Sequence, residues 1–235
     1  MLRRWPARAP AVHNGAMSRP HVTLKLATSL DGRIATASGE SRWITGEAAR
    51  AEVHRMRAAV DAVMIGAGTA RADDPSLLAR TEPPPAEQPL RVVVTSQFDI
   101  PVEGKLFADL DRSALIIFGG ERAKPAVQAV FESTGAQVER VTGESVEIGA
   151  VLSRLAELGI STVLAEGGGQ LAASLLRAEA VDRLEWFRAP IILGGDGRPA
   201  VAALALGSLA EASAWRRVAL RELGPDLWES YERVS

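Results

Sequence analysis

The run Ala62-Val63-Met64-Ile65-Gly66-Ala67-Gly68-Thr69-Ala70-Arg71-Ala72-Asp73-Asp74-Pro75 limits the choice of fold more than any other stretch of this 235-residue chain. Ala62 to Ile65 are apolar at every position. A strand with no polar face is covered on both sides, which puts it in the middle of a sheet flanked by helices. Gly66 and Gly68 then remove side chains where something approaches the backbone. Thr69 offers a hydroxyl and reads as a helix cap. Asp73 and Asp74 follow, and Pro75 biases Asp74 toward an extended conformation. In open α/β sheets ligands bind beyond the carboxyl ends of strands, so this loop is a place to look for chemistry. The plainer reading is an ordinary strand, turn and short helix with a solvated aspartate pair.

The length suits one large α/β domain or two small ones. With 47% apolar residues and a mean hydropathy of +0.05, the chain has the makeup of a globular protein with a real core. A net charge of −2 argues against nucleic acid as the main partner. The absence of cysteine excludes disulfides, cysteine nucleophiles and zinc–thiolate sites. His13, His21 and His54 are scattered without metal-ligand spacing, so no metal is expected. No apolar run approaches a membrane span. The segment from Met1 to Arg19 is rich in Arg, Pro and Ala and holds no acid. It lacks the apolar core of a secretory signal and reads as a disordered extension over residues 1–18, with Met17 as an alternative start.

Further along, Val22, Leu24 and Leu26 alternate with Thr23, Lys25 and Ala27, the pattern of a strand with one apolar face. Lys25 is unusual there, because burying an ammonium is costly unless it is paired; the alternative is an edge lysine reaching solvent. Asp31-Gly32 marks a turn into a second short strand. Thr45 reads as the cap of a helix that carries Ala49, Val53, Met56 and Val60 on one face. Arg57, one step off that stripe, is either a solvated arginine or an anion ligand at a pocket boundary. Glu82 to Pro89 hold a proline cluster and read as a surface loop. Strands are expected at Leu90–Thr95, Ala114–Phe118 (closed by Gly119-Gly120) and Ala136–Val141, with a helix at Pro125–Ser133. Ser145 is a cap candidate for a helix with Ile148, Val151, Leu152 and Leu155 on its stripe, stopped by Gly159. A second junction follows. The strand Thr162–Ala165 ends in Glu166, three glycines come next, and a helix rich in Ala and Leu begins. Exposed N–H groups at such a helix start suit a phosphate or pyrophosphate, although the pattern is neither the dinucleotide fingerprint nor a P-loop. Asp182–Pro190 and Ile191–Leu193 read as strands, and Trp215–Leu220 with Leu227–Val234 as a closing antiparallel hairpin. Strand and helix alternate for most of the length, indicating a layered α/β fold with a largely parallel sheet.

Several motifs occur in one order: Thr23-Leu24-Lys25-Leu26-Ala27-Thr28-Ser29-Leu30-Asp31-Gly32, Ser38-Gly39-Glu40-Ser41-Arg42-Trp43-Ile44-Thr45, Gly68 to Pro75, Glu166-Gly167-Gly168, and Ala189-Pro190-Ile191-Ile192-Leu193-Gly194-Gly195. Together they resemble the reductase domain of the bacterial bifunctional riboflavin-biosynthesis deaminase/reductase, over roughly Arg19 to Glu232. The resemblance implies a three-layer dihydrofolate-reductase-like fold over residues 19–235, NADPH as cofactor, a cytoplasmic location and a homodimer. It implies reduction of 5-amino-6-(5-phosphoribosylamino)uracil to the ribitylamino product, with hydride delivered to C1′ of the opened ribose.

Position by position, the same resemblance assigns Ser41, Arg57, Leu77, Arg80 and Glu166 to the substrate, with the two arginines as clamps for its 5′-phosphate. It assigns Ala27, Trp43, Thr69, Asp73, Ser96 and the segment Gly168, Gly169, Gln170, Leu171, Ala172, Ala173 and Ser174 to NADPH. Lys25, Asp73, Glu166 or a bound water supplies or relays the proton that must accompany hydride transfer. The bifunctional family carries a zinc deaminase domain ahead of this one, for which this chain has neither cysteines nor room. The chain is therefore read as a stand-alone reductase beside a separate deaminase, or as a piece of a longer product. Its substrate is either the uracil or its undeaminated diaminopyrimidine. Two other readings stay open: a pteridine- or dihydrofolate-type reductase, for which a phosphate clamp has no purpose, and a non-catalytic nucleotide-binding partner of a deaminase.

Overall fold

The computed structural model describes residues 18–121, 125–141 and 146–234. In chain order the elements are β1 (His21–Thr28), β2 (Arg33–Ala35), α1 (Glu47–Ala58), β3 (Ala62–Gly66), α2 (Ala67–Asp73), β4 (Leu90–Thr95), α3 (Lys105–Ala108) and β5 (Leu115–Gly120). They continue with α4 (Pro125–Ser133), β6 (Gln137–Val141), α5 (Ile148–Glu157), β7 (Thr162–Glu166), α6 (Gly169–Arg177) and β8 (Arg183–Arg188). The two-residue β9 (Arg198–Pro199), a 3-10 turn at Leu209–Glu211, β10 (Trp215–Leu223) and β11 (Asp226–Arg233) complete the chain. The residues fall into two compact units, one of Arg57–Val163 with the described residues before Val22, the other of Val22–Met56 and Leu164 onward.

In the first unit β3, β4, β5 and β6 pair in parallel, in that order. One face of these strands presents Val63, Ile65, Val93, Leu115 and Ile117, which pack with Ala70 of α2, Leu106 of α3 and Phe131 of α4. The alternating residues Ala62, Met64, Val92, Ile116 and Phe118 are buried as well, so both faces are covered, as the unbroken apolar runs require. The strand β5 runs on through Gly119 and Gly120 instead of ending before them. Position 119 has room for glycine alone: a Cβ there would stand 2.0 Å from the Phe98 ring, which lies tilted against Phe131 with ring centres 5.8 Å apart.

In the second unit β1 pairs in parallel with β8, and β8 pairs antiparallel with β11, which closes the expected hairpin with β10. The alternation along β1 holds: Val22, Leu24 and Leu26 are buried, while Thr23, Lys25 and Ala27 are half-buried. Ala27, Phe187 and Trp228 lie under Ala49 and Val53 of α1. The sheet is thus mostly parallel, with an antiparallel C-terminal hairpin.

Four local expectations are corrected. Thr69 lies inside α2, whose N-cap position is Gly66, so it does not cap the helix. Asp74 is left-handed (φ 40°, ψ 61°) rather than extended, as the C-cap of α2; its Oδ1 accepts the Lys105 N–H at 2.8 Å. Thr45 stands two residues before α1, and it is the Gly46 N–H that is bonded, to the buried Asp226 carboxylate at 2.6 Å. Ile191–Leu193 form no strand: the Leu193 and Gly194 N–H groups are taken by the Asp31 carboxylate at 3.1 and 2.8 Å. Ser145 and the residues before Ser18 lie outside the described residues. Among the described residues no helix is long and apolar enough to cross a membrane, and no group of His, Asp or Glu is suited to a metal ion.

Candidate functional site

Arg57, Thr69, Asp73, Leu77, Arg80 and Ser96 belong to the first unit. The helix α2 starts where β3 ends, and Ser96 follows the end of β4, the parallel neighbour of β3. The start of α2, with Thr69 in its first turn, and Ser96 therefore share the carboxyl edge of two adjacent strands, where α/β proteins place ligands, while Asp73 closes the same helix. Arg71 of α2 fastens the loop after Ser96, bonding the Asp99 carboxylate at 2.5 Å and its carbonyl at 3.2 Å. Gly68 has open space where a Cβ would stand, so its missing side chain serves no contact within the chain.

The other group in this unit surrounds residues 76–80. Ser76, Leu77, Leu78 and Ala79 are buried without belonging to any helix or strand. Buried backbone of this kind needs partners from side chains. Arg57 Nη1 donates to the Leu78 carbonyl at 3.3 Å, and Arg80 Nη2 to Ser76 Oγ at 3.1 Å. The two guanidinium groups predicted to clamp a phosphate are thus both bound to one short segment. Leu77 adopts φ 58°, and its side chain is 1% exposed within the core. The residue as a whole is closed off, backbone included, so it shapes the segment from within.

The same segment is held by residues that sequence reasoning passed over. Arg91, fully buried in β4, donates to the carbonyls of Leu106 at 2.7 Å, Asp109 at 3.1 Å, Ser113 at 2.5 Å and Ser76 at 3.4 Å. Burial pulls its pKa down to about 10, which leaves it cationic at neutral pH. An arginine inside the apolar run Leu90–Thr95 was a readable signal, of the same kind as Lys25 in β1. Gln88 gave none, since it closes a proline-rich loop that looks like surface.

Lys25, Ala27, Ser41, Trp43, Glu166 and the Gly168–Ser174 segment belong to the second unit. The strand β1 lies between β8 and β7, so Lys25 is not an edge lysine. Its Nζ stands 5.7 Å from the centre of the Phe187 ring, and its backbone is in register with Glu185. Glu185 is buried and accepts from Trp228 Nε1 and Ser230 Oγ, both at 2.5 Å. Trp43 is 69% exposed and lies under the Arg50 guanidinium, 4.5 Å from the ring centre. Ser41, two residues before it, is half-buried.

At the second junction Glu166 ends β7 and is 7% exposed. Gly167 and Gly168 have φ 69° and 80°, left-handed values that glycine adopts without cost. Gly169 then opens α6, and a Cβ there would stand 2.7 Å from the Pro199 carbonyl. The three glycines are thus a shaped bend and a close approach, not a loose turn. The helix ladder starts with Ala172 N–H to the Gly168 carbonyl, 3.1 Å. The N–H groups of Gly169, Gln170 and Leu171 lie outside that ladder, at the positive end of the helix dipole. Within the predicted segment the side chains of Leu171, Ala172 and Ala173 are buried, whereas Gln170 is exposed and Ser174 half-buried. Beyond the helix-start backbone, Gln170 and Ser174 are thus the side chains of Gln170–Ser174 that are not buried.

Comparison with known proteins bears on the family and the fold. A riboflavin biosynthesis protein RibD of Mycobacterium tuberculosis is 38% identical over 228 residues, covering 96% of this chain and 56% of the relative. The solved structure of Acinetobacter baumannii RibD superposes with a TM-score of 0.81 at 28% identity, covering 93% of this chain and 59% of the other. A Thermotoga maritima protein, described as a diaminohydroxyphosphoribosylaminopyrimidine deaminase/5-amino-6-(5-phosphoribosylamino)uracil reductase, gives 0.74 at 26% identity, covering 92% and 57%. The chain thus spans just over half the length of these relatives. Enterococcus faecalis dihydrofolate reductase, at 0.51 and 16% identity with 92% and 99% covered, shares the fold alone. The model of the RibD C-terminal domain matches residues 20–228, so this chain belongs to the RibD C-terminal domain family.

Proposed function

We propose that residues 19–235 form a reductase domain that reduces 5-amino-6-(5-phosphoribosylamino)uracil at ribose C1′, using NADPH. The observation that carries this reading is the pair of guanidinium groups, Arg57 and Arg80, bound to the single segment Ser76–Leu78. Two such groups suit a doubly charged phosphate monoester, which each can grip through paired N–H donors. A pterin or dihydrofolate has no phosphate for them to meet, which favours the phosphorylated pyrimidine. The Thermotoga relative, described as a reductase of that uracil, supports the choice of the deaminated pyrimidine.

The residues present fit a nicotinamide dinucleotide. The bend at Gly167 and Gly168 leaves the first N–H groups of α6 outside the helix ladder, where they suit a phosphate. We assign its binding to Ala27, Trp43, Thr69, Asp73, Ser96 and the α6 start. When bound, the cofactor supplies the hydride. Arg57 and Arg80 hold the 5′-phosphate, Ser41 and Glu166 orient the remainder of the substrate with Leu77 shaping the segment beside Arg80, and binding in one orientation supplies much of the rate. The proton that balances hydride arrival at C1′ is supplied or relayed by Lys25, Asp73, Glu166 or a bound water, and single substitutions test the three side chains.

The test is NADPH oxidation followed at its absorbance band with the phosphoribosylaminouracil and the undeaminated diaminopyrimidine in parallel. Turnover of the uracil is expected. Turnover of the diaminopyrimidine alone would reverse the reaction order, and oxidation with neither would remove the reading.

A further inference from the structure

Gln88 makes a pair of hydrogen bonds that the proposed reaction does not by itself explain. Its Oε1 accepts the Ala79 N–H at 2.8 Å, and its Nε2 donates to the Ala79 carbonyl at 2.9 Å. One side-chain amide thereby satisfies both polar groups of a single residue, as a neighbouring strand would. Ala79 is 2% exposed and precedes Arg80, whose side chain turns outward and returns to Ser76 Oγ. Fixing both faces of the Ala79 backbone fixes the direction in which Arg80 leaves the core.

We propose that Gln88 is a positioning residue for the phosphate-binding Arg80, acting through the backbone of Ala79. The proposal rests on the reading of Arg80 as a phosphate clamp. The rest of the segment is braced from other directions, by Arg57 on the Leu78 carbonyl and Arg91 on the Ser76 carbonyl, so Ala79 is the joint that Gln88 alone controls among these three side chains. Without Gln88, Arg80 samples orientations that do not meet a phosphate. Apparent affinity then falls by the fraction of time the arginine is correctly placed. A contact that only holds the fold together would act differently, weakening cofactor and substrate binding alike.

The experiment uses the full chain with Gln88→Met, which keeps the side-chain length and removes both bonds, and Gln88→Glu, which keeps the acceptor for the Ala79 N–H and loses the donor. For Gln88→Met the KM for the phosphoribosylaminouracil rises about tenfold, while kcat and the NADPH Kd stay at wild-type values. Gln88→Glu shows the same split at smaller size. In an Arg80→Ala background Gln88→Met adds no further rise in KM. Independently of activity, hydrogen exchange shows the Ala79 amide protected in the wild type and released in Gln88→Met, with the β4 amides unchanged. An unchanged KM in a folded Gln88→Met, a rise of KM and NADPH Kd together, or a wild-type Ala79 amide that exchanges freely would each overturn the inference and leave the reductase reading standing. Absence of any turnover by the wild type would overturn both.

Discussion

Replacing Arg91 by Met tests whether a buried cation holds the first unit together. The guanidinium is fully buried and makes three well-formed bonds, to the carbonyls of Leu106, Asp109 and Ser113, and a long one to Ser76. Bonds from a charged donor contribute about 1.5–3 kcal/mol each, and a buried carbonyl left without a partner costs about 1–3 kcal/mol, although the Asp109 carbonyl keeps the Arg112 and Ser113 N–H groups, each at 3.1 Å. Against this stands the desolvation that brings the pKa from 12.5 to about 10, worth roughly 3 kcal/mol by the usual conversion of a pKa difference. The Nε, which has no hydrogen-bond partner, adds a little to that cost. The balance is a loss of about 3 kcal/mol in Arg91→Met, a large part of a typical domain's stability. The assay is urea unfolding followed by circular dichroism, comparing midpoints at constant slope. A loss below about 1 kcal/mol would refute the reasoning, because the carbonyls would then be satisfied without Arg91.

Three further outcomes are expected. Gly119→Ala drives a Cβ into the Phe98 ring, with contacts of 2.0 to 2.6 Å, and costs about 3 kcal/mol by overpacking, read as a fall in thermal midpoint. Arg57→Ala with Arg80→Ala raises the KM for the phosphorylated substrate by roughly two orders of magnitude with little change in NADPH binding, measured by titration; equal loss of both would sink the phosphate assignment. Asp31 is held down to about 2 by the Ser29 hydroxyl and the Leu193 and Gly194 N–H groups, against an ordinary 3.8. A depressed carboxylate pKa stabilises the folded state above the unfolded value, and that stabilisation is lost as pH falls through the folded one. The stability difference between wild type and Asp31→Asn is therefore constant above about pH 5 and shrinks between about pH 4 and 2; a difference that does not change over that window would refute it.

What the sequence made legible follows from how locally each feature is determined. The strand Ala62–Ile65 could be read because burial on both faces leaves a one-dimensional trace, and β1 because its alternation has the period of the pleat. The helix start after Glu166 was readable because glycine marks a backbone need that any chain must meet at that point. Two of the misread positions have the opposite property. Beside Thr45 it is Asp226, far along the chain, that takes the Gly46 N–H, and the Leu193 and Gly194 N–H groups go to Asp31 rather than to a strand. In each case an acid distant in sequence supplies the partner that local pattern assigns to a neighbour, and nothing local records it. Gln88 belongs to the same class. A polar residue at the end of a proline-rich loop looks like surface until the fold lays it against Ala79. Residues that touch a ligand are carried by motifs, because their chemistry restricts their type. Residues that brace backbone from a distance are chosen by geometry alone, and in this chain they include Gln88, Arg91, Asp31 and Asp226, each a polar side chain satisfying backbone groups of a segment remote from it in sequence or outside its own element.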